Sequence, residues 1–140
     1  VGAKNKVYVT KRFQFEAAHH LHNYDGKCSN VHGHSYKLEV TVSKPVDFNP
    51  SSLSKAKDAM VLDFSVLKSV VNDVAVSLYD HSNLNEHFGN YPTAELMVVS
   101  MFEDIQECFD GHYPAYGIKV EEVKLWETED SYATYRGEEV

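Results

Sequence analysis

Five of the eight histidines of this 140-residue chain fall between His19 and His34, a density that scattered surface residues seldom reach. His32 and His34 are two apart, so on a strand their imidazoles share one face. His19 closes a preceding run whose odd positions are mostly apolar, and a hairpin would bring it beside the other two. Three neutral imidazoles with a fourth position left open make a catalytic zinc geometry, with room for water or substrate. On its own, an H-x-H pair is more often a surface pair or a satisfied core histidine; adding His19 by its face strengthens the metal reading. His20 competes with His19 as a ligand, and Cys28 is a rival because thiolates bind zinc well. His20 and His22 otherwise read as loop residues.

The elements that must position these groups follow from periodicity. From Lys6 to His19, Val7, Val9, Phe13, Phe15 and Ala17 alternate with polar residues, the pattern of a half-buried strand interrupted once by Lys11. From His32 to Val42 the even positions repeat it through Tyr36, Leu38 and Val40, opposite Lys37, Glu39 and Thr41. Asn23, Asp25, Gly26 and Ser29 make the intervening segment turn-rich, so the two strands should pair as an antiparallel hairpin with a long loop. Residues 44–57 read as a surface excursion, with a short strand resuming at Met60–Leu62. Asp63 is a suitable N-cap for a helix carrying Phe64, Leu67, Val70, Val71, Val74 and Leu78 on one stripe. A polar connector from Asp80 to Tyr91 precedes Pro92 and Thr93. These open a second helix along Val98, Met101, Phe102, Ile105 and Phe109. The segment from Ile118 to Tyr135 returns to strand composition, turning near Glu129–Ser131. The expected fold is α+β: an antiparallel four-stranded sheet with two consecutive helices on one face, in the order β-β-α-α-β-β. Exposed strand edges in such a sheet are commonly covered by oligomerisation.

Bulk properties narrow the function classes. A length of 140 residues suits one domain, 1–140, and 43% hydrophobic with 24% charged residues is an ordinary globular composition. A formal net charge of −8 argues against broad binding to nucleic acid or a membrane surface. The opening VGAKNKVYVT does not read as a signal peptide, which makes a cytoplasmic location the expectation. Cys28 and Cys108 are expected to be reduced thiols, since a single bridge is an odd framework for a chain with its own core. Cys108, on the second helix, reads as a small buried hydrophobe.

Several short motifs occur in order along nearly the whole chain: Phe15-Glu16-Ala17-Ala18-His19, Gly26-Lys27-Cys28, His32-Gly33-His34 and Asp80-His81 with Leu84-Asn85. Pro92-Thr93-Ala94-Glu95, Glu127-Thr128 and Tyr135-Arg136-Gly137-Glu138 complete the set. Each is weak alone, but the ordered set resembles the 6-pyruvoyltetrahydropterin synthase family and its tunnelling fold. The resemblance implies a zinc-dependent lyase acting on 7,8-dihydroneopterin triphosphate, with zinc on His19, His32 and His34. It implies that Cys28 is the proton-abstracting base, and a thiol beside a cationic centre and Lys27 has reason to be partly thiolate. Asp80 and His81 match the family's acid–histidine pair, in which the carboxylate orients the imidazole. Glu127, in phase with Val123 and Leu125, matches the glutamate that holds the pterin's amino and ring N–H edge, with Thr128 nearby; read without the family, a lysine partner would be the better expectation for it. Glu95 is a further substrate candidate or a helix-dipole residue. Lys27 and Arg136, with Lys37, are candidates for the triphosphate by motif proximity.

Two branches share these motifs. Three residues separate Cys28 from His32, which resembles the 6-carboxytetrahydropterin synthases of queuosine formation; the biopterin branch has a longer gap. Two departures stand out: His20 where the family has arginine, and the longer segment 49–57. The resemblance also implies a homotrimer or homohexamer with active sites between subunits. The rivals are a biopterin-branch synthase, a non-catalytic zinc-binding assembly protein of the same fold, and a zinc hydrolase indifferent to Cys28.

Overall fold

The computed structural model describes residues 4–140, and its two longest strands are the two that alternate most clearly in sequence. β1 (Lys4–His19) and β2 (His32–Asp47) pair antiparallel in unbroken register from Lys4 opposite Asp47 to His19 opposite His32. One face of this ribbon carries Phe13, Phe15, Ala17, Tyr36, Leu38 and Val40, all buried, while Arg12, Gln14 and Lys37 stay exposed on the other. β4 (Lys119–Thr128) and β5 (Ser131–Tyr135) form the closing hairpin, and β4 lies against β2.

The four-stranded antiparallel sheet expected from sequence is corrected to a five-stranded mixed sheet in the order β3-β1-β2-β4-β5. The added strand, β3 (Ser82–Asn83), runs parallel to β1, opposite Ala17 and Ala18. It lies in the polar connector and is two residues long, too short to show a period in sequence. Backbone bonds join it to β1: the amide of His81 donates to the Glu16 carbonyl, and that of Leu84 to the Ala18 carbonyl at 2.8 Å. The short strand expected at Met60–Leu62 does not form; Val61 and Leu62 are buried there in irregular chain.

The helices cover the apolar face of the sheet. α1 (Phe64–Val71) starts at Asp63, whose side chain accepts from the Ser65 amide at 2.8 Å. It runs through a π-helical turn at Asn72–Val76 into α2 (Ser77–Tyr79). That turn changes which residues are buried. An unbroken α-helix would continue the stripe of Leu67 and Val71 to Val74 and Leu78. The π turn inserts one residue, so the buried positions become Ala75 and Tyr79, and Leu78 is left 50% exposed. A single turn, α3 (Asn85–Phe88), then leads to α4 (Ala94–His112). α4 is capped by Thr93, whose hydroxyl accepts from the Leu96 amide at 3.2 Å, and it buries Met97, Met101, Ile105 and Phe109. Each such side chain contributes about 1.5–3 kcal/mol when fully removed from water.

Candidate metal centre and active site

The hairpin register places His19 directly opposite His32, and His34 opposite Ala17 on the same face. His19 is 1% exposed. The ring atoms of the three histidines that could bind an ion all lie within 4.8 Å of one another, the one such group among the described residues. Neither His20 nor Cys28 joins it.

Hydrogen bonds at the rear of two rings select their tautomers. His19 Nδ1 lies 2.9 Å from the Pro92 carbonyl, and His32 Nδ1 lies 2.7 Å from the Asn30 carbonyl. A carbonyl only accepts, so each Nδ1 carries the proton and each Nε2 presents a lone pair. Those two Nε2 atoms face each other at 3.1 Å. Buried His34 Nε2 makes no hydrogen bond. Glu127 Oε1 stands 3.2 Å from His19 Nε2 and 3.4 Å from His34 Nε2. With both rings neutral, the Nε2 lone pairs of His19 and His32 converge with the Glu127 carboxylate, an arrangement that a shared proton or a bound cation relieves. Ligands about 2.0–2.1 Å from a tetrahedral zinc are separated by about 3.3 Å, so the residues present fit that ion.

The electrostatics differ between the rings. Burial, against the pull of the Glu127 charge and with the help of the neighbouring histidines, holds the His34 imidazole below its ordinary pKa, which favours the neutral form that can ligate. For His19 burial is the largest influence and acts downward, but the Glu127 hydrogen bond, the Pro92 contact and the Glu127 charge together raise it. The His19 bond, against a cost of burial, holds Glu127 below the usual carboxylate range, so it remains an anion. Beneath the cluster, Tyr36 stacks on Phe15 with centroids 4.9 Å apart and meets the His34 ring edge-on. Burial, then the Glu127 charge, keeps the Tyr36 phenol neutral at any ordinary pH.

The loop carrying Cys28 is tied to the end of β1. Cys28 lies in a 3-10 turn, Gly26–Ser29, as a partly buried free thiol, and its carbonyl accepts from the Leu21 amide at 2.7 Å. Asn85 holds the neighbouring backbone, with its Oδ1 accepting from the His20 amide at 2.9 Å and its Nδ2 donating to the His20 carbonyl at 3.0 Å. Asn30, Asn85 and Pro92 are therefore site residues that side-chain reasoning passed over. Asn85 and Pro92 stand within the ordered motifs, which was the available signal; a ligating histidine's need for a second partner was another.

Asp80 and His81 form the expected pair, with Oδ1 3.0 Å from Nδ1. Asp80 Oδ1 also accepts from the Glu16 amide at 2.9 Å, and that bond, then His81, holds the carboxyl below its usual range. His81 has a left-handed backbone (φ 56°) and an 80% exposed side chain, so its remaining ring nitrogen is open to a ligand. It borders an open groove of about 490 Å³ with Glu16, Gly33, His34 and Ser35. Among the described residues, no hydrogen bond or ion pair joins this dyad to Cys28 or to the three histidines.

The other candidates lie apart. Thr128 donates to Asp130 at 3.2 Å in the β4–β5 turn. Glu95 is exposed in the first turn of α4, and Lys27 is exposed beside Cys28. Arg136 pairs with Glu122 at 2.8 Å. Its neighbour Tyr135 lies opposite Val123, four residues or roughly 13 Å of strand from Glu127. Within one protomer Arg136 is not part of the histidine site.

A helix-covered mixed sheet with three histidines converging at one end of its central hairpin defines an α+β protein with a cluster that could hold a metal ion. The chain belongs to the 6-pyruvoyl tetrahydropterin synthase family, whose model matches residues 8–138. It is 32% identical to the 6-carboxy-5,6,7,8-tetrahydropterin synthase of Haemophilus influenzae, over 91% of this chain and 97% of that protein. It is also 32% identical to the 6-pyruvoyl tetrahydrobiopterin synthase of Drosophila melanogaster, over 94% of this chain and 80% of that one. The solved structure of Caenorhabditis elegans 6-pyruvoyl tetrahydropterin synthase superposes with a TM-score of 0.77 at 29% identity, covering 97% of this chain and 99% of that one.

Proposed function

We propose that the chain is a zinc-dependent 6-carboxy-5,6,7,8-tetrahydropterin synthase. It would convert 7,8-dihydroneopterin triphosphate and water to carboxytetrahydropterin, acetaldehyde and triphosphate on the route to queuosine. The observation that carries the reading is the meeting of three metal-facing imidazoles with the Glu127 carboxylate, 3.2 Å from His19. The Cys28–His32 spacing, and relatives named for the carboxy activity, favour this branch.

His19, His32 and His34 hold the metal. Zinc there supplies Lewis-acid polarisation of the substrate's side-chain oxygens. Cys28, as thiolate, removes the proton from the adjacent carbon. His81, oriented by Asp80, exchanges a proton with the cysteine or the substrate. Glu127, held as an anion, accepts from the amino and ring N–H groups of the pterin, two parallel donors matched to two carboxylate oxygens. Thr128 and Glu95 are auxiliary contacts, and Lys27 is the nearer candidate for the triphosphate. Because no hydrogen bond or ion pair joins the dyad to Cys28 among the described residues, the reading includes a trimer or hexamer whose sites are completed between subunits. A cytoplasmic lyase is the corresponding cellular role.

The second reading is 6-pyruvoyltetrahydropterin synthase, favoured by the equal identity to the Drosophila melanogaster protein. Mass analysis of the product from 7,8-dihydroneopterin triphosphate separates the two. A carboxyl product with acetaldehyde supports the first reading, and a pyruvoyl product replaces it with the second. No turnover by zinc-loaded protein would refute both.

A further inference from the structure

The ladder between β3 and β1 stops just short of the loop that carries Cys28, and a side chain extends it. β3 lies opposite Ala17 and Ala18, and the Leu84 amide donates to the Ala18 carbonyl at 2.8 Å. Asn85 takes the next place with its carboxamide instead of its backbone. Its Oδ1 accepts from the His20 amide at 2.9 Å, and its Nδ2 donates to the His20 carbonyl at 3.0 Å. Engaging both polar groups of one residue is what a neighbouring strand does. The second Nδ2 hydrogen goes to the Gly89 carbonyl at 2.9 Å, so both side-chain donors are used and the plane of the carboxamide is fixed. The Asn85 amide in turn donates to Asn83 Oδ1 at 3.0 Å.

We infer that Asn85 is a positioning residue for the Cys28 thiol: it keeps the chain extended through His20, so that the Leu21 amide meets the Cys28 carbonyl at 2.7 Å. The inference rests on the reading of Cys28 as the base. The thiol makes no hydrogen bond among the described residues, so its place depends on the backbone around it. The same two stretches also touch where the His22 amide donates to the Asn90 carbonyl at 3.2 Å and where His19 Nδ1 meets the Pro92 carbonyl at 2.9 Å. His19 therefore keeps its ring contact and its register opposite His32 without Asn85, whereas the β1–β2 pairing ends at His19 and leaves His20 to the carboxamide. Loss of the carboxamide should move the thiol and spare the metal ligands. A misplacement of about 1 Å in a reacting group can cost about 100-fold in rate, and a change felt only in the transition state lowers kcat more than it raises KM.

The test compares zinc-loaded wild type with Asn85→Ala and with Asn83→Ala, which removes the bond to the Asn85 amide and leaves both His20 contacts. Exchange of the Leu21 amide is followed by NMR, zinc is counted per chain, and kcat and KM are measured on 7,8-dihydroneopterin triphosphate. In Asn85→Ala the Leu21 amide should exchange about tenfold or more faster, and zinc should stay stoichiometric. Its kcat should fall about tenfold or more while KM changes by less than about threefold. Asn83→Ala should stay within about threefold of wild type in every reading. Unchanged Leu21 exchange, an unchanged kcat or a loss of zinc in Asn85→Ala overturns the inference. Equal losses in Asn83→Ala overturn it too, because the effect would then be a general loosening of the β3 edge. Asn85→Asp keeps the size and the acceptor for the His20 amide but loses both donors, and it is read by the same criteria if the alanine variant does not fold. Wild type that holds zinc and does not turn over overturns the reading of Cys28 as the base, and the inference with it; the other failures occur in a protein whose wild type is active.

Discussion

Replacing His34 with alanine has opposite consequences for the metal and for the fold. His34 Nε2 is a buried acceptor without a hydrogen bond, and such a group costs about 1–3 kcal/mol in the metal-free protein. Its removal offsets the packing lost with the ring, which is 19% exposed. The metal-free variant should therefore be as stable as metal-free wild type to within about 1 kcal/mol. Zinc affinity should collapse. Apparent binding energies of about 10–16 kcal/mol for four-ligand sites apportion to about 2.5–4 kcal/mol per ligand, a loss of roughly 70- to 900-fold. At zinc about 100-fold above the wild-type Kd, wild type gains about 2.7 kcal/mol, which raises Tm by about 10 °C for a chain of this length. The variant at the same zinc gains less than about 0.6 kcal/mol, or roughly 2 °C. Thermal melts with and without zinc, joined to metal content per chain after chelator dialysis, read both quantities. Stoichiometric zinc in His34→Ala, or an equal zinc-induced rise in Tm, would refute the ligand assignment.

Cys28→Ala should keep full zinc content and lose turnover, because the thiol is outside the metal group; a variant as active as wild type would remove the cysteine from the chemistry. Gly137→Ala should destabilise the chain by about 1–3 kcal/mol in urea melts without changing zinc content, since Gly137 has φ 78° and an added Cβ would meet Phe102 Cζ at 2.9 Å. Unaltered stability would show that Phe102 yields at no cost. Asp80 has a folded pKa below its unfolded value, so its stabilising contribution is present above the unfolded carboxylate range and is lost as pH falls through the folded pKa. Asp80→Asn should accordingly flatten the acid limb of the stability profile below about pH 4, and a limb of unchanged steepness would show that the Glu16 and His81 contacts do not titrate with folding.

The two long strands were readable because each buries one face, and a period of two is a local property that survives without its partner. The same holds for α4. The stripe of α1 was readable only as far as Val71, where the π turn added a residue and passed burial from Val74 and Leu78 to Ala75 and Tyr79. β3 left no trace in sequence, because its two residues are fixed by the edge of β1 and by the left-handed turn at His81.

For the site, the candidates could be picked out along the chain before any folding: His19, His32 and His34 on one hairpin face, Cys28 in the loop between the strands, Asp80 beside His81, and Glu127 in phase with an apolar strand. Residue type and local alternation carry that information. Packing, by contrast, is what turns two Nε2 atoms inward from the Pro92 and Asn30 carbonyls, clamps His20 with Asn85, and leans Glu127 on two of the three histidines. Backbone carbonyls are the same at every position and a strand's phase does not say which distant side chain it will face, so these contacts between separate segments come into being only when the chain is packed.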